Sequence, residues 1–368
     1  MKTIYIKSVG VLSVVAFIVT LLFSTGCPID GSSQPTPSAE ELTYETVLDN
    51  LVIPWEIAFL PDGEMLFTER PGTLVRMGET KRTITIPGVE SMGESGLMGL
   101  ALHPRFDKNH WIYLSYTTRL TGVLENRVER YTYDLEKNVL TERKVIISGS
   151  PAARFHDGGR IAFSPDGKLY ITTGDATNSD SAQDINSLAG KILRVNDDAT
   201  IPADNPFGNA VYSYGHRNPQ GLAWDDKGRL WATEHGRSGV LSGYDELNLV
   251  ERGKNYGWPD LQGDLKRQGM EPPVVHSGPS YTWAPAGAVY FEGAILFTGL
   301  RGEALYRYDI KTEKLTEHLK GRFGRLRAIV VHEGWLYLGT SDRDGRGTVE
   351  PGDDRIIRIP LDYIRGLR

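Results

Sequence analysis

A histidine and an aspartate stand at the two ends of one strand-like segment of the sequence. His156 lies in "FHDGG", just before the apolar run "RIAF", and Asp175 ends the second apolar run, "KLYITTGD". Two such runs joined by Ser-Pro-Asp-Gly are typical of paired antiparallel strands, which would bring His156 and Asp175 to the same edge of a sheet. A carboxylate that orients an imidazole makes a general base, although a histidine that only caps a turn also fits this segment when it is taken alone.

Arginines recur just before or within later strand-like segments. "YGHRNPQGLAW" places Arg217 and Asn218 before one apolar run, and "GRFGRLRAIV" places Arg325 and Arg327 at the start of the last one. Side chains two residues apart on a strand share one face, so the last two arginines lie side by side. Strand-face arginines are usually solvated, but their recurrence at the same position of different segments favours a shared anionic ligand.

The elements that carry these residues follow a repeated pattern of two apolar strands and a polar turn. About six copies occur, spaced by roughly 40 to 65 residues. They begin at Ala58, His103, Ala162, Ala223, Val289 and Val330. Most are followed by a third strand, such as "KILRVN" or "RIIRIP", which predicts an all-β, six-bladed β-propeller with four-stranded antiparallel blades. "YETVLDNLVIPWEIAF" would supply the missing strand of the last blade; a β-sandwich or two smaller β domains are the alternatives.

Composition limits the partners of the protein. The chain has 368 residues, a formal net charge of -6 at pH 7 and a pI near 5.8. An acidic protein without a broad basic face is a poor candidate for binding nucleic acid. Any anionic ligand would have to be held by a local arginine cluster.

The N-terminal segment predicts export. Lys2 and Lys7 precede a short apolar run that ends in "FSTGC", and Cys27 is the only cysteine, so no internal disulfide can form. We predict a signal peptide over residues 1–26, a flexible Pro/Ser linker over 27–42 after a lipidated Cys27, and a catalytic propeller over 43–368. The protein would then act outside the cytoplasm, on the membrane only through this N-terminal anchor; an uncleaved signal anchor or plain cleavage nearby is the alternative.

Several motifs together resemble a known family. "GESGLMGLALHPRF", "FHDGGRIAFSPDGKLYITTGD", "GKILRVN", "YGHRNPQGLAW" and "GKNYGWP" occur in order along the chain. They resemble the soluble glucose/sorbosone dehydrogenases that depend on pyrroloquinoline quinone (PQQ), and most closely the aldose sugar dehydrogenase branch. The resemblance implies a six-bladed propeller with PQQ and calcium on its axis. It also implies oxidation of the anomeric carbon of aldoses to lactones, with electrons passed to an external acceptor, by a monomer or homodimer.

The resemblance also implies catalytic roles for particular residues. His156 matches the general base that takes a proton from the anomeric hydroxyl of the sugar. Asp175 matches the carboxylate that supports this histidine. Arg217 matches the arginine beside the reacting oxygen of the quinone, where a positive charge stabilises a developing oxyanion.

The remaining matches concern the cofactor and the metal. Arg325 and Arg327 match the pair that holds the carboxylates of PQQ, and Asn218 stands at a cofactor-contacting position. The residues matched to the cofactor site as a whole are Glu94, His156, Arg217, Asn218, Arg301, Arg325 and Arg327. Gly236 and Arg237 match the calcium loop, where backbone carbonyl oxygens bind the ion.

Three positions depart from the glucose-specific pattern. Glu94 replaces glutamine, Phe155 replaces an aspartate that holds the sugar, and Arg301 replaces a cofactor-binding lysine. The role of Glu94 stays open, because a carboxylate near an anionic cofactor needs a proton or a cation. The loss of the aspartate predicts a broad range of aldoses rather than tight selection of glucose.

Two other functions fit a propeller of this kind. A calcium-dependent lactonase, which is a hydrolase, would cage its metal with side-chain carboxylates and would not need Arg217, Arg325 and Arg327. A non-catalytic binding propeller would need neither the His156 and Asp175 pair nor a cofactor site.

Overall fold

Antiparallel sheets make up most of the computed structural model, which describes residues 42–120, 122–239 and 242–367. The first twelve strands in chain order are β1 (Glu45–Leu48), β2 (Pro54–Phe59), β3 (Met65–Glu69), β4 (Thr73–Met77), β5 (Lys81–Thr85), β6 (Leu97–Leu102), β7 (Trp111–Thr118), β8 (Glu125–Asp134), β9 (Val139–Pro151), β10 (Ile161–Phe163), β11 (Leu169–Thr173) and β12 (Lys191–Val195). The next twelve are β13 (Val211–Tyr214), β14 (Pro219–Trp224), β15 (Leu230–Glu234), β16 (Glu246–Val250), β17 (Val275–His276), β18 (Pro285–Phe291), β19 (Ala294–Gly299), β20 (Ala304–Asp309), β21 (Lys314–His318), β22 (Leu326–His332), β23 (Trp335–Thr340) and β24 (Ile356–Pro360).

The strands of the described residues form six four-stranded sheets. Five sheets use consecutive strands: β2 to β5, β6 to β9, β10 to β13, β14 to β17 and β18 to β21. The sixth has the order β1-β24-β23-β22, so the first strand of the chain pairs with the last. Each sheet contacts the next, and the sixth contacts the first. The predicted six-bladed propeller is confirmed, and so is the prediction that the N-terminal strand completes the last blade.

Burial follows the position of a strand within its blade. All five residues of β3, β11 and β12 are buried, whereas β5, "KRTIT", is almost entirely exposed. Middle strands are covered by the neighbouring blades on both faces, and an outermost strand with charged side chains resists pairing with another chain. Six hydrophobic clusters occur within the described ranges, and each lies between two adjacent blades.

Helical structure is sparse in the part of the chain that the structure describes. It consists of α1 (Phe106–Asn109), α2 (Leu361–Gly366) and two 3-10 turns, Ser179–Ala182 and Asp342–Asp344. None of the helices in these ranges has the length and apolarity that a membrane span requires. The predicted signal peptide, Cys27 and nearly all of the predicted linker lie outside the described residues. Export, lipidation, the domain limits and the choice between monomer and homodimer stay predictions.

Candidate active site

The predicted site residues gather at one end of the ring. Antiparallel pairing places the start of each first strand beside the end of the second strand of the same blade. Five predicted site residues precede the first strand of a blade: Glu94, His156, Arg217, Asn218 and Arg325. Four others follow the second strand of a blade: Asp175, Gly236, Arg237 and Arg301. The last, Arg327, lies within β22. Loops from several blades therefore meet around one opening, as the sequence predicts.

The loop that carries His156 is fixed by close backbone packing. A Cβ atom on Gly158, whose φ is +65°, would lie 2.6 Å from the carbonyl oxygen of Thr172. A Cβ atom on Gly174 would lie 1.8 Å from the carbonyl oxygen of His156. Only glycine fits at these two positions. His156 itself has a φ of +64°, an uncommon conformation for a residue with a side chain, and such strain concentrates at functional sites.

Asp157 anchors the same loop to the second blade. Its carboxylate accepts hydrogen bonds from the Ser95 hydroxyl (2.8 Å), the Asn126 amide (3.1 Å) and the Ala153 N–H (3.1 Å). Burial raises the pKa of Asp157 to about 6 although these bonds oppose the rise. The neighbouring His156 is thus held by a group that sequence reasoning did not single out.

The imidazole of His156 is hydrogen-bonded on both nitrogens. Nδ1 lies 2.7 Å from Asp175 Oδ1, and Nε2 lies 2.8 Å from Arg217 Nη2. A guanidinium can only donate, so we assign an acceptor role to Nε2 and the proton to Nδ1. This is the neutral tautomer with its lone pair on Nε2, the nitrogen that a general base uses to accept a proton.

Asp175 is held as an ionised partner for His156. Its Oδ2 accepts a hydrogen bond from Trp258 Nε1 at 2.9 Å, and its N–H donates to the carbonyl oxygen of Arg217. Burial would raise the pKa of Asp175, but the hydrogen bonds from His156, Thr177 and Trp258 lower it. Trp258 belongs to the "GKNYGWP" motif, and no sequence pattern pairs it with Asp175.

A buried lysine holds the loop that begins at Asp175. Lys191 is fully buried, and its Nζ donates to the carbonyl oxygens of Ser181 (2.8 Å), Ala182 (3.0 Å) and Ala189 (2.5 Å). Burial lowers the pKa of Lys191 to about 8. All three donors of the ammonium are used inside the loop, so the lysine of "GKILRVN" has a structural role.

Arg217 is positioned by the fourth blade. Its N–H and that of Asn218 donate to Glu234 Oε1, and its Nη2 donates to Ser238 Oγ at 2.7 Å as well as to His156. Burial lowers the pKa of Arg217, and its Nε is buried with no hydrogen-bond partner in the described residues. The Nε–H of this guanidinium is therefore available to donate to a ligand.

Glu94 contacts residues from three other blades. Its Oε2 accepts the His156 N–H (2.9 Å) and lies 3.4 Å from Asn218 Nδ2, and its Oε1 accepts from Arg346 Nη1 (2.8 Å). Burial alone would raise the pKa of Glu94, but His235, the His156 N–H and Arg346 together lower it to about 2. Glu94 is therefore ionised, and Arg346, which sequence reasoning missed, supplies the cation.

Arg325 and Arg327 share one carboxylate. Arg325 donates to Asp344 Oδ2 through Nε (3.1 Å) and Nη2 (2.6 Å), and Arg327 Nη2 lies 3.8 Å from the same oxygen. Both arginine side chains are only 5% exposed. Burial lowers the pKa of Arg327 to about 9 although Asp344 opposes the fall. Two buried cations and one anion leave an excess of positive charge.

Arg70 adds to this excess from the end of β3. Its Nε is buried without a hydrogen-bond partner among the described residues, and burial lowers its pKa while Asp344 and Glu94 oppose the fall. Because it stands alone in "FTERPG", no pattern in the sequence marked Arg70 as part of the site.

A cavity of about 480 Å³ opens among these groups. Six of the predicted site residues line it: Glu94, His156, Gly236, Arg237, Arg301 and Arg325. Asp175, Arg217 and Asn218 contact those lining residues, and Arg327 borders a small void below with Glu94 and Arg346. Cationic side chains predominate in the lining, where Arg237, Arg301, Arg325 and Arg346 face the carboxylates of Glu94 and Asp245.

A family model described as glucose/sorbosone dehydrogenase matches residues 51–357. The chain belongs to the glucose/sorbosone dehydrogenase family. The predicted membership is thereby confirmed, and so is the prediction that the chain is a sugar dehydrogenase of this family.

Three relatives are informative. The solved structure of the PQQ-bound form of aldose sugar dehydrogenase from Streptomyces coelicolor is 39% identical, with a TM-score of 0.80, and the match covers 86% of this chain and 98% of that one. Aldose sugar dehydrogenase YliI of Escherichia coli K12 is 30% identical over 83% of this chain and 91% of its own length. Quinoprotein glucose dehydrogenase B of Acinetobacter calcoaceticus is 33% identical over 67% of this chain and 58% of its own length.

In this glucose/sorbosone dehydrogenase, two buried ring side chains near the site, those of Trp283 and His216, lie outside the cavity lining. Trp283 is buried in a hydrophobic cluster, where it packs on Phe297 and Tyr306, so it is a core residue rather than a platform for a sugar ring. His216 is fully buried between Ser213 and Glu234. It supports the carboxylate that positions Arg217.

Proposed function

We propose that this dehydrogenase oxidises the anomeric carbon of aldoses to lactones, with PQQ as its cofactor and calcium beside it. The observation that carries the proposal is the Nε2 lone pair of His156. This lone pair accepts from Arg217 Nη2, Asp175 holds the Nδ1–H behind the ring, and Arg325 and Arg346 line the same cavity as His156. The PQQ-bound relative, with 39% identity over most of the chain, supports the choice of cofactor.

The residues present fit a tricarboxylate quinone. Arg70, Arg325 and Arg327 bring three positive charges near the single carboxylate of Asp344, and the Nε of Arg70 has no hydrogen-bond partner among the described residues. Guanidinium groups bind carboxylates through paired hydrogen bonds, so these side chains would hold the carboxylates of PQQ. The cavity volume lies within the range usual for small-molecule sites.

The loop after β15 fits a calcium ion that is bound by backbone oxygens. A Cβ atom on Gly236 would lie 2.3 Å from the carbonyl oxygen of Gly243 and 2.2 Å from that of Tyr244. The Gly236 N–H is turned away to Asp245 Oδ1 (2.8 Å). Groups of three or more acidic, histidine or cysteine side chains placed to hold a metal are absent among the described residues. Carbonyl oxygens of Gly236 and Arg237 would therefore be the protein's ligands to this hard cation.

The protein groups divide the chemistry between them. Bound PQQ supplies the acceptor for the hydride that leaves C1 of the sugar. His156 Nε2 takes the proton of the anomeric hydroxyl as the C1–O bond becomes a carbonyl, and Asp175 stabilises the imidazolium that forms. Arg217 holds its positive charge beside the oxygen that becomes anionic. The proton then passes from His156 to water, and the two electrons leave to an external acceptor.

Arg217 occupies the lone pair that the base must use. Its Nη2 donates to His156 Nε2 at 2.8 Å, so a substrate hydroxyl can approach only when this donor turns to another acceptor. Its other contacts, Ser238 Oγ and the carbonyl oxygen of His235, remain available to hold it. An anionic ligand bound in the cavity would give Arg217 another acceptor, and His156 Nε2 would then be free to take a proton.

Reconstitution tests the proposed function. The full chain is stripped with a chelator and then given calcium, PQQ or both, and reduction of an artificial dye is followed with a panel of aldoses. We expect activity only with both additions, several aldoses oxidised, and lactone as the product. Lactone hydrolysis without quinone would instead support the hydrolase, and absence of both reactions would support a binding propeller.

A further inference from the structure

Arg346 differs from the other arginines of the cavity in its exposure and in its partner. Its side chain is 47% exposed, whereas Arg325 and Arg327 are 5% exposed. Its guanidinium donates to Glu94 Oε1 at 2.8 Å across 252 positions of sequence, from the loop after β23 to the loop before β6. Arg346 therefore bridges two blades at the cavity edge.

The second contact of Arg346 is with the residue before the proposed base. Its guanidinium lies over the ring of Phe155, 5.3 Å from the ring centroid. A cation over an aromatic face is held weakly and can pivot without losing the contact. Arg346 thus has one ionic partner that fixes its direction and one apolar support that does not.

Glu94 is an unexpected group in a site for an anion. It is an ionised carboxylate that lines the same cavity as Arg325 and Arg346. An anionic ligand entering this cavity would be repelled by Glu94 and attracted by Arg346, so it competes with Glu94 for the same cation. The contacts of Oε2 with His156 and Asn218 keep Glu94 in place when its partner moves.

We propose that Arg346 is a positioning residue for a carboxylate of the cofactor, and that Glu94 holds it at the cavity edge until the cofactor binds. This inference rests on the proposed function. Arg346 would exchange the carboxylate of Glu94 for a carboxylate of the cofactor, and the balance between these two contacts would set the affinity for the cofactor. This gives Glu94 the role that the sequence analysis left open.

A double-mutant cycle separates this role from simple neutralisation of Glu94. Affinity for PQQ is measured by titration calorimetry, and release of PQQ by stopped-flow fluorescence, on the full chain with calcium present. The proteins are wild type, Arg346→Ala, Glu94→Gln and the double variant. Glutamine keeps an oxygen for the His156 N–H, so the loop stays anchored. Arg119→Ala, which removes an exposed arginine from the turn after β7, is the matched control.

The proposal predicts a definite order of affinities. Glu94→Gln binds PQQ more tightly than wild type, and adding Arg346→Ala to it weakens binding about 10-fold to 100-fold, as for loss of a charge-assisted hydrogen bond. Arg346→Ala speeds PQQ release but leaves the KM for the sugar unchanged at saturating PQQ. Arg346→Lys restores part of the affinity.

Equal affinities of Glu94→Gln and the double variant would overturn the proposal, because Arg346 would then only neutralise Glu94. If wild type binds PQQ and oxidises aldoses but Glu94→Gln and the double variant bind PQQ equally well, this inference is wrong and the proposed function still stands. If wild type does not bind PQQ, the proposed function fails and this inference fails with it.

Discussion

The two sides of the cavity differ in how their charges are balanced. The His156 side consists of His156, Asp175 and Arg217, and the arginine side consists of Arg325, Arg327 and Arg346. On the His156 side, one carboxylate, that of Asp175, accompanies the one guanidinium of Arg217, and both are hydrogen-bonded to the imidazole of His156. On the arginine side, two buried guanidinium groups share the single carboxylate of Asp344.

The two sides therefore differ in what a bound ligand would change. The His156 ring is fixed before any ligand arrives, since backbone packing and its hydrogen bond to Asp175 already hold it, and only the Arg217 donor on Nε2 has to turn away. On the arginine side, burial first and then the neighbouring Arg70 and Arg325 lower the pKa of Arg327, and an anionic ligand would oppose this fall. We therefore expect changes on the His156 side to affect turnover and changes on the arginine side to affect affinity.

The largest expected effect is on turnover. His156→Ala should lower kcat by about 10²-fold to 10⁴-fold, the usual contribution of a general base, while affinity for PQQ stays near that of wild type. Steady-state kinetics and PQQ titration measure the two quantities. His332→Ala, at the far end of β22 and outside the cavity lining, is the matched control. A kcat near that of wild type would remove His156 from the role of base.

The second-largest expected effect is on the affinity for PQQ. Arg327→Met keeps much of the side-chain volume but removes the charge, so it should weaken PQQ binding by about 10-fold to 100-fold and change kcat little at saturating PQQ. The rise in Tm that PQQ produces should shrink accordingly. Arg307→Met, on the outer part of the fifth blade, should bind PQQ like wild type. An unaltered affinity in Arg327→Met would place the anion site elsewhere.

The smallest effect concerns Glu94, which touches both sides. Because its pKa in the folded protein is about 2, against 4.5 ordinarily, its ionised form stabilises the fold above about pH 4.5. That stabilisation is lost as the pH falls toward 2. Between pH 7 and pH 3 wild type should lose about 1–2 kcal/mol more unfolding free energy than Glu94→Gln, measured with urea. Parallel pH profiles would contradict a lowered pKa of Glu94, and with it the stabilisation of its carboxylate by contacts on both sides.

Patterns that repeat along the chain were readable from the sequence. The alternation around turns such as Ser164 to Gly167 predicted the hairpins. The segment "YETVLDNLVIPWEIAF" predicted the closing strand, which Glu45–Leu48 forms, whereas Pro54–Phe59 begins the first blade. The grouping of His156 with Asp175 followed from their places at the two ends of one hairpin, and that of His156 with Arg217 from their equivalent positions before the first strands of neighbouring blades.

The residues that hold these site residues in place could not be predicted from the sequence. Arg346, Asp344 and Trp258 lie in loops without periodicity, and each acts on a residue from a different stretch of chain. Glu94 and Arg346 stand 252 positions apart, so only the closed ring brings their charges together. Even the charge state of Glu94 follows from neighbours that no local pattern specifies.

Closure of the ring also orders events in time. β1 pairs only with β24, with Glu45 opposite Arg358, and their side chains form an ion pair. β1 is therefore synthesised before the strand with which it pairs, and a loop of about 300 residues closes when the two meet. Such a long-range contact is slow to form, so the sixth blade is the place where folding of this propeller is completed.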